Sequence, residues 1–175
     1  MRWSFYDKIT DIKYNKEITA VKIFNSDNEV FKDHFPSCPI VPGVLLLEAI
    51  AQAGGRLISI SKHHESYGKS VVFPVMTIIE KASFKKAVKP DEEIIINAKI
   101  INLHKSDAKI CGKIYLNKNK LAVKANIIYS IFYFDQFKGL DSLFNASERA
   151  DMQTINDNIA DYFKKNKNSF IKFKD

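Results

Sequence analysis

The chain has 175 residues, 46% of them apolar and 27% charged, with a formal charge of +7. That is long enough for one domain with a real core, and the balance excludes a disordered or low-complexity protein. No apolar run reads as long enough to cross a bilayer, no apolar leader opens the N-terminus, and Cys38 and Cys111 lack metal or redox spacing, so the expectation is a reduced, cytoplasmic protein. Nearly all of the positive charge falls in residues 1–135. It would suit an acidic partner, although from charge alone a solvated surface is the better reading, and no nucleic-acid recognition motif accompanies it.

In chain order, an extended segment is expected from Trp3 to Ile9 and a second from Ile18 to Phe24, where Ile18, Ala20 and Phe24 alternate with polar neighbours. SDNE (26–29) is turn chemistry. Three of the five prolines follow, at 36, 39 and 42, on an extended loop whose Pro42-Gly43 pair suits a helix start. The helix should run from about Gly43 to about Ser61, with SKHHESYGKS as a polar loop behind it. Its first half has almost no polar face, so it should be wrapped by other structure.

The segment 71–88 carries β-branched residues but is interrupted by Pro74. Residues 92–103, 108–116 and 121–134 alternate strongly, and the joins HKSD (104–107) and NKNK (117–120) are short, which predicts an antiparallel meander. A buried helix with such a sheet curled round it is an α+β arrangement. Beyond Asp135, Met152, Ile155, Ile159 and Tyr162 recur at helical spacing. The expected organisation is therefore a domain over residues 1–135 and a helical extension over 136–175, packed on the same domain.

The chemistry concentrates in HFPSCPIVPGVLLLEAIAQ (34–52). A carboxyl among apolar neighbours loses hydration, which favours its neutral, proton-donating form. Glu48 is such a group, and Gln52, one turn on, stands where it could aim it. The competing reading is a structural carboxylate paired with Arg56 or with a lysine from the sheet. His34 supplies an imidazole that can accept a proton. Gly43, at the helix start, offers a free N–H with the positive end of the helix dipole behind it, suited to an oxygen that gains negative charge. Base, acid and oxyanion donor together fit proton abstraction beside a carbonyl with loss of a β-hydroxyl, without metal or organic cofactor. His63-His64-Glu65 makes a poor metal site, and His104 sits in a turn.

This stretch resembles the signature of the FabZ-type 3-hydroxyacyl-acyl carrier protein dehydratases, a hotdog-fold family: His-Phe-Pro, then Pro-x-x-Pro-Gly-Val, then Glu-Ala-x-Ala-Gln, all present in register. Weaker similarity covers residues 3–134, including Phe84-Lys85-Lys86 and Pro90. The resemblance implies a hotdog fold, with a long central helix wrapped by a curved antiparallel sheet and a C-terminal helix added here. It implies His34 as base for the C2 proton, Glu48 as acid for the departing hydroxyl, and Gly43 as donor to the thioester carbonyl, supported by Pro42, Val44 and Gln52. It also implies acyl carrier protein as partner, with Lys85 and Lys86 as candidate contacts. The assembly would be a homodimer whose sites combine His and Glu from different subunits, in the family often a trimer of dimers.

Four positions depart from the family pattern. Ser37 replaces a usual glycine, Cys38 stands where a basic residue is common, and Pro90-Asp91-Glu92 replaces Pro-Gly-Asp. Two other readings compete with dehydration. One is a hotdog thioesterase using a Cys38–His34 dyad; the other is a non-catalytic acyl-binding subunit, which would be expected to have lost His34 or Glu48. The related type that also isomerises the double bond usually has Asp where Glu48 stands.

Overall fold

The structure, a computed structural model, describes residues 4–66, 72–116 and 120–133. Strands β1 (Lys8–Lys13) and β2 (Glu17–Ile23) form a hairpin. A single turn of helix, α1 (Val30–Asp33), and the proline loop lead into α2 (Gly43–Glu65), and β3 (Val72–Phe84), β4 (Glu93–Leu103), β5 (Asp107–Leu116) and β6 (Lys120–Tyr133) follow. The six strands make one sheet in the order β1-β2-β4-β5-β6-β3, with β4, β5 and β6 forming the expected antiparallel meander. The helix lies against one face of this sheet in a hotdog-like α+β arrangement.

The inward face follows the alternation in the sequence. Ile18 and Ala20 of β2, Ile94, Ile96 and Ala98 of β4, Ile110 and Ile114 of β5, and Ile127 and Tyr129 of β6 are all buried against α2 or its flanks. Where the helix crosses β5 most closely the strand carries Gly112, and a Cβ there would collide with Ile50. The Tyr129 hydroxyl, beside Gly54, donates to the Ala51 carbonyl oxygen at 2.8 Å. Burial, and then the nearby charge of Glu48, hold this phenol well above its ordinary titration range, so it stays a donor.

Several expectations are corrected. The first strand is Lys8–Lys13, because Phe5 is buried with its N–H on the Gln52 side chain and not in a ladder. The helix continues through Lys62–Glu65: Lys62 pairs with Glu65 at 2.9 Å, His64 stacks on Tyr14 at 4.2 Å, and cationic groups suit a helix C-terminus. At 23 residues α2 does reach the length and apolarity needed to cross a bilayer, but it packs on the sheet as a core helix. Pro74 does not break β3, which is the edge strand and can spare a ladder donor. The proposed extension over 136–175 lies outside the described residues.

The sheet of one chain does not wrap α2 completely. Val44, in its first turn, is 70% exposed, and Val75, Met76, Ile78 and Ile79 of β3 are exposed as well.

Candidate active site

His34 caps the C-terminal end of α1, its N–H bonding the Val30 carbonyl at 3.0 Å. The ring is half-buried, and its Nδ1 lies 3.0 Å from the Ile40 carbonyl oxygen. A carbonyl only accepts, so Nδ1 carries the proton and Nε2 of the neutral ring is left with a free lone pair. Phe35, next in the chain, has φ of 53° and sets its ring edge-on to the imidazole at 4.6 Å. A left-handed phenylalanine is costly, and here it turns the chain so that the proline loop folds back, with the Cys38 N–H on the Phe35 carbonyl at 2.8 Å.

Pro42, with its fixed φ of −54°, hands the chain to α2. Its carbonyl takes the N–H groups of Leu45 and Leu46 at 3.0 and 3.4 Å. The N–H groups of Gly43 and Val44 have no acceptor among the described residues and no side chain caps them, so they point outward with the helix dipole behind them.

Glu48 is half-buried, less enclosed than the apolar run around it suggests. Gln52 Nε2 donates to its Oε1 at 2.9 Å, and Gln52 Oε1 accepts from the Phe5 N–H at 2.9 Å, so the amide has only one useful orientation. The structural pairing with Arg56 does not occur. Arg56 lies eight residues on, about 12 Å along the axis, and bonds the Tyr6 hydroxyl at 3.1 Å. Among the described residues no cation pairs with Glu48.

Within one chain, no bond joins His34 to Glu48, or either to Gly43; each is held by its own partners. Nor does any bond join Cys38 to His34, and Cys38 is exposed. Lys85 and Lys86 both point their N–H groups at the Ala122 carbonyl, at 2.7 and 3.3 Å. The Lys85 side chain shares a groove of about 340 Å³ with Lys81, Ser83, Lys124 and Asn126; Lys86 is not part of it. None of these lysines pairs with an acid among the described residues. Described His, Cys, Asp and Glu residues form no cluster that could hold a metal. Sequence reading missed the roles of Ile40, Phe5 and Tyr129, which act through backbone groups or across long sequence separations.

Comparison with known proteins bears on the family and the fold. The FabA-like domain family matches residues 2–131. The chain is 37% identical to the 3-hydroxyacyl-(acyl-carrier-protein) dehydratase FabZ of Koribacter versatilis, over 69% of this chain and 74% of that one. It is 36% identical to the enzyme of the same name from Thiobacillus denitrificans, over 61% and 72%, and 34% identical to that of Lactococcus lactis, over 71% and 82%. Among solved structures, a Haemophilus influenzae thioesterase shares the fold with a TM-score of 0.55 at 16% identity, covering 71% of this chain and 77% of that one. Zebrafish thioesterase superfamily member 2 does so with a TM-score of 0.53 at 12% identity, covering 70% and 79%. The domain match over residues 2–131 and identities of 34–37% over most of those enzymes' length place the chain in the FabZ-type 3-hydroxyacyl-(acyl-carrier-protein) dehydratase family.

Proposed function

We propose that the protein removes water from 3-hydroxyacyl thioesters of acyl carrier protein to give trans-2-enoyl products, in fatty acid or related acyl-chain synthesis. The observation that carries this reading is the orientation of His34: Nδ1 is engaged by the Ile40 carbonyl, so the lone pair of the neutral ring lies on Nε2. In the reaction Nε2 takes the C2 proton. The C–H electrons move toward the thioester carbonyl, whose oxygen is held by the Gly43 N–H, and then form the C2–C3 double bond as the C3–O bond breaks. Glu48, aimed by Gln52, gives its proton to the leaving hydroxyl, which departs as water. The proton now on His34 returns to Glu48 through solvent, and no cofactor takes part.

The base and the acid of one reaction site are assigned to different copies of the chain. His34 and Glu48 make no contact that joins them, while Val44 and the apolar edge strand β3 leave a surface that a second copy would cover. The acidic carrier protein suits the groove of Lys81, Lys85 and Lys124.

Purified protein incubated with 3-hydroxyacyl-carrier protein should show loss of 18 mass units from the acyl group, a loss of one water. Absence of that product over all chain lengths would remove the proposal. Release of a free thiol instead would favour the thioesterase reading, which the separation of Cys38 from His34 disfavours.

A further inference from the structure

Phe84 ends β3, is 51% exposed, and sets its ring against the start of α2. The ring edge lies against Gly43: a Cβ on that glycine would meet Phe84 Cε1 at 2.9 Å, Cζ at 3.2 Å and Cδ1 at 3.3 Å. The ring thus stands directly beside the helix start whose first N–H groups are free.

The backbone that follows Phe84 is anchored at two points. Between Ile114 and Tyr115 the β5–β6 register shifts, leaving Ala122 as an extra residue on β6. The carbonyl of Ala122 takes both the Lys85 and the Lys86 N–H. Val88, fully buried, accepts the Val41 N–H at 2.8 Å, two residues before Gly43. The residues that follow Phe84 are thus pinned first to β6, at Lys85 and Lys86, and then to the proline loop, at Val88, so the end of β3 and the helix start share one frame.

We propose that Phe84 is a positioning residue for the reaction. The inference rests on the dehydratase reading and extends it. The ring forms an apolar wall beside the free Gly43 N–H, so that a thioester oxygen reaches this donor from one side only and with less competing water. An N–H shielded in this way stabilises developing negative charge more strongly than one in open solvent. At position 43 a side chain would contend with the ring for the same space, and one of the two would have to move.

The test uses the purified full chain and a 3-hydroxyacyl-carrier protein substrate, with kcat and KM measured separately and normalised to the folded fraction from urea unfolding. Phe84→Ala should lower kcat by roughly tenfold or more, the scale expected when a reacting group is misplaced, with KM changed much less. Phe84→Tyr, which keeps the ring, should retain most of the activity. Gly43→Ala should be strongly impaired, and adding Phe84→Ala to it should give more activity than the product of the two single effects, because the added methyl then has room. If Phe84→Ala does not fold, Phe84→Leu is read by the same criterion. An unchanged kcat in the folded Ala or Leu variant, or single effects that simply multiply, would overturn the inference while leaving the dehydratase reading intact. No turnover by the unaltered protein would overturn both.

Discussion

Gln52 donates its side-chain amide to Glu48 at 2.9 Å while its own oxygen is held by the Phe5 backbone N–H, so the N-terminal segment reaches across the helix to aim the carboxyl. Glu48 therefore depends on a residue 43 positions earlier that no local pattern would select. Gln52→Leu should lower kcat for dehydration by about tenfold, the scale of one hydrogen bond to an ionisable group. Steady-state kinetics should show this with substrate KM little changed; equal loss in both parameters would point to general damage.

A site built from two copies has a numerical signature. His34→Ala and Glu48→Gln should each be nearly inactive alone. If the pure variants are unfolded together, mixed in equal amounts and refolded, half of the dimers are mixed, and each mixed dimer holds one intact His–Glu pair. The mixture should recover about a quarter of unaltered activity. Recovery of nothing, from a mixture shown to be folded and dimeric, would put both groups on one chain.

Two glycines facing the core should respond with opposite sign. At Gly112 an added methyl collides with Ile50, whose Cβ would lie at 3.2 Å, so Gly112→Ala should destabilise by about 1–3 kcal/mol. At Gly55, inside α2, the same methyl meets Tyr129 Cε1 at 3.7 Å and Pro74 Cγ at 3.8 Å, which is ordinary contact. Gly55→Ala should stabilise by about 0.5–1 kcal/mol through helix propensity. Urea unfolding midpoints at one protein concentration decide both.

Glu17 accepts from Lys13 at 2.8 Å and lies 2.9 Å from Lys99, and these bonds lower its carboxyl to about 2 from 4.5. A depressed acid contributes stability that is fully present above pH 4.5 and is lost as pH falls toward 2. The lysine side chains are 35% and 55% exposed, so solvent screening keeps the contribution to about 1 kcal/mol. Glu17→Gln should flatten the stability profile across that window, as followed by thermal unfolding from pH 5 to 2.

The stretch from His34 to Gln52 was legible because its chemistry is local: the helix start, the free N–H and the i, i+4 pair of Glu48 and Gln52 follow from spacing. The strands from Glu93 to Tyr133 were legible because inward residues alternate. Boundaries failed where tertiary contacts decide them. Phe5 looks like strand and is buried, but its N–H goes to a side chain. His63 to Glu65 look like loop, yet Tyr14 and an ion pair keep them helical. Pro74 looks like a break, and only the strand order reveals an edge where it is harmless. Asp91, at φ of 61°, occupies the left-handed position that suits the glycine usual in this family; its carboxylate accepts the Ser26 N–H at 2.8 Å, fastening the turn where glycine would offer no side chain.

The extra residue on β6 also sets a phase. Ala122 and Val123 are both buried, a break in the two-residue rhythm that the rest of the strand keeps. Removing Ala122 would let the strand alternate without interruption, which by propensity alone looks like an improvement. It would leave Leu121 opposite Tyr115 and Lys120 opposite Leu116, but it would take away the acceptor that anchors the end of β3. Length, more than composition, is thus the constrained quantity here: this chain should tolerate a change of side chain at position 122 far better than the loss of one residue.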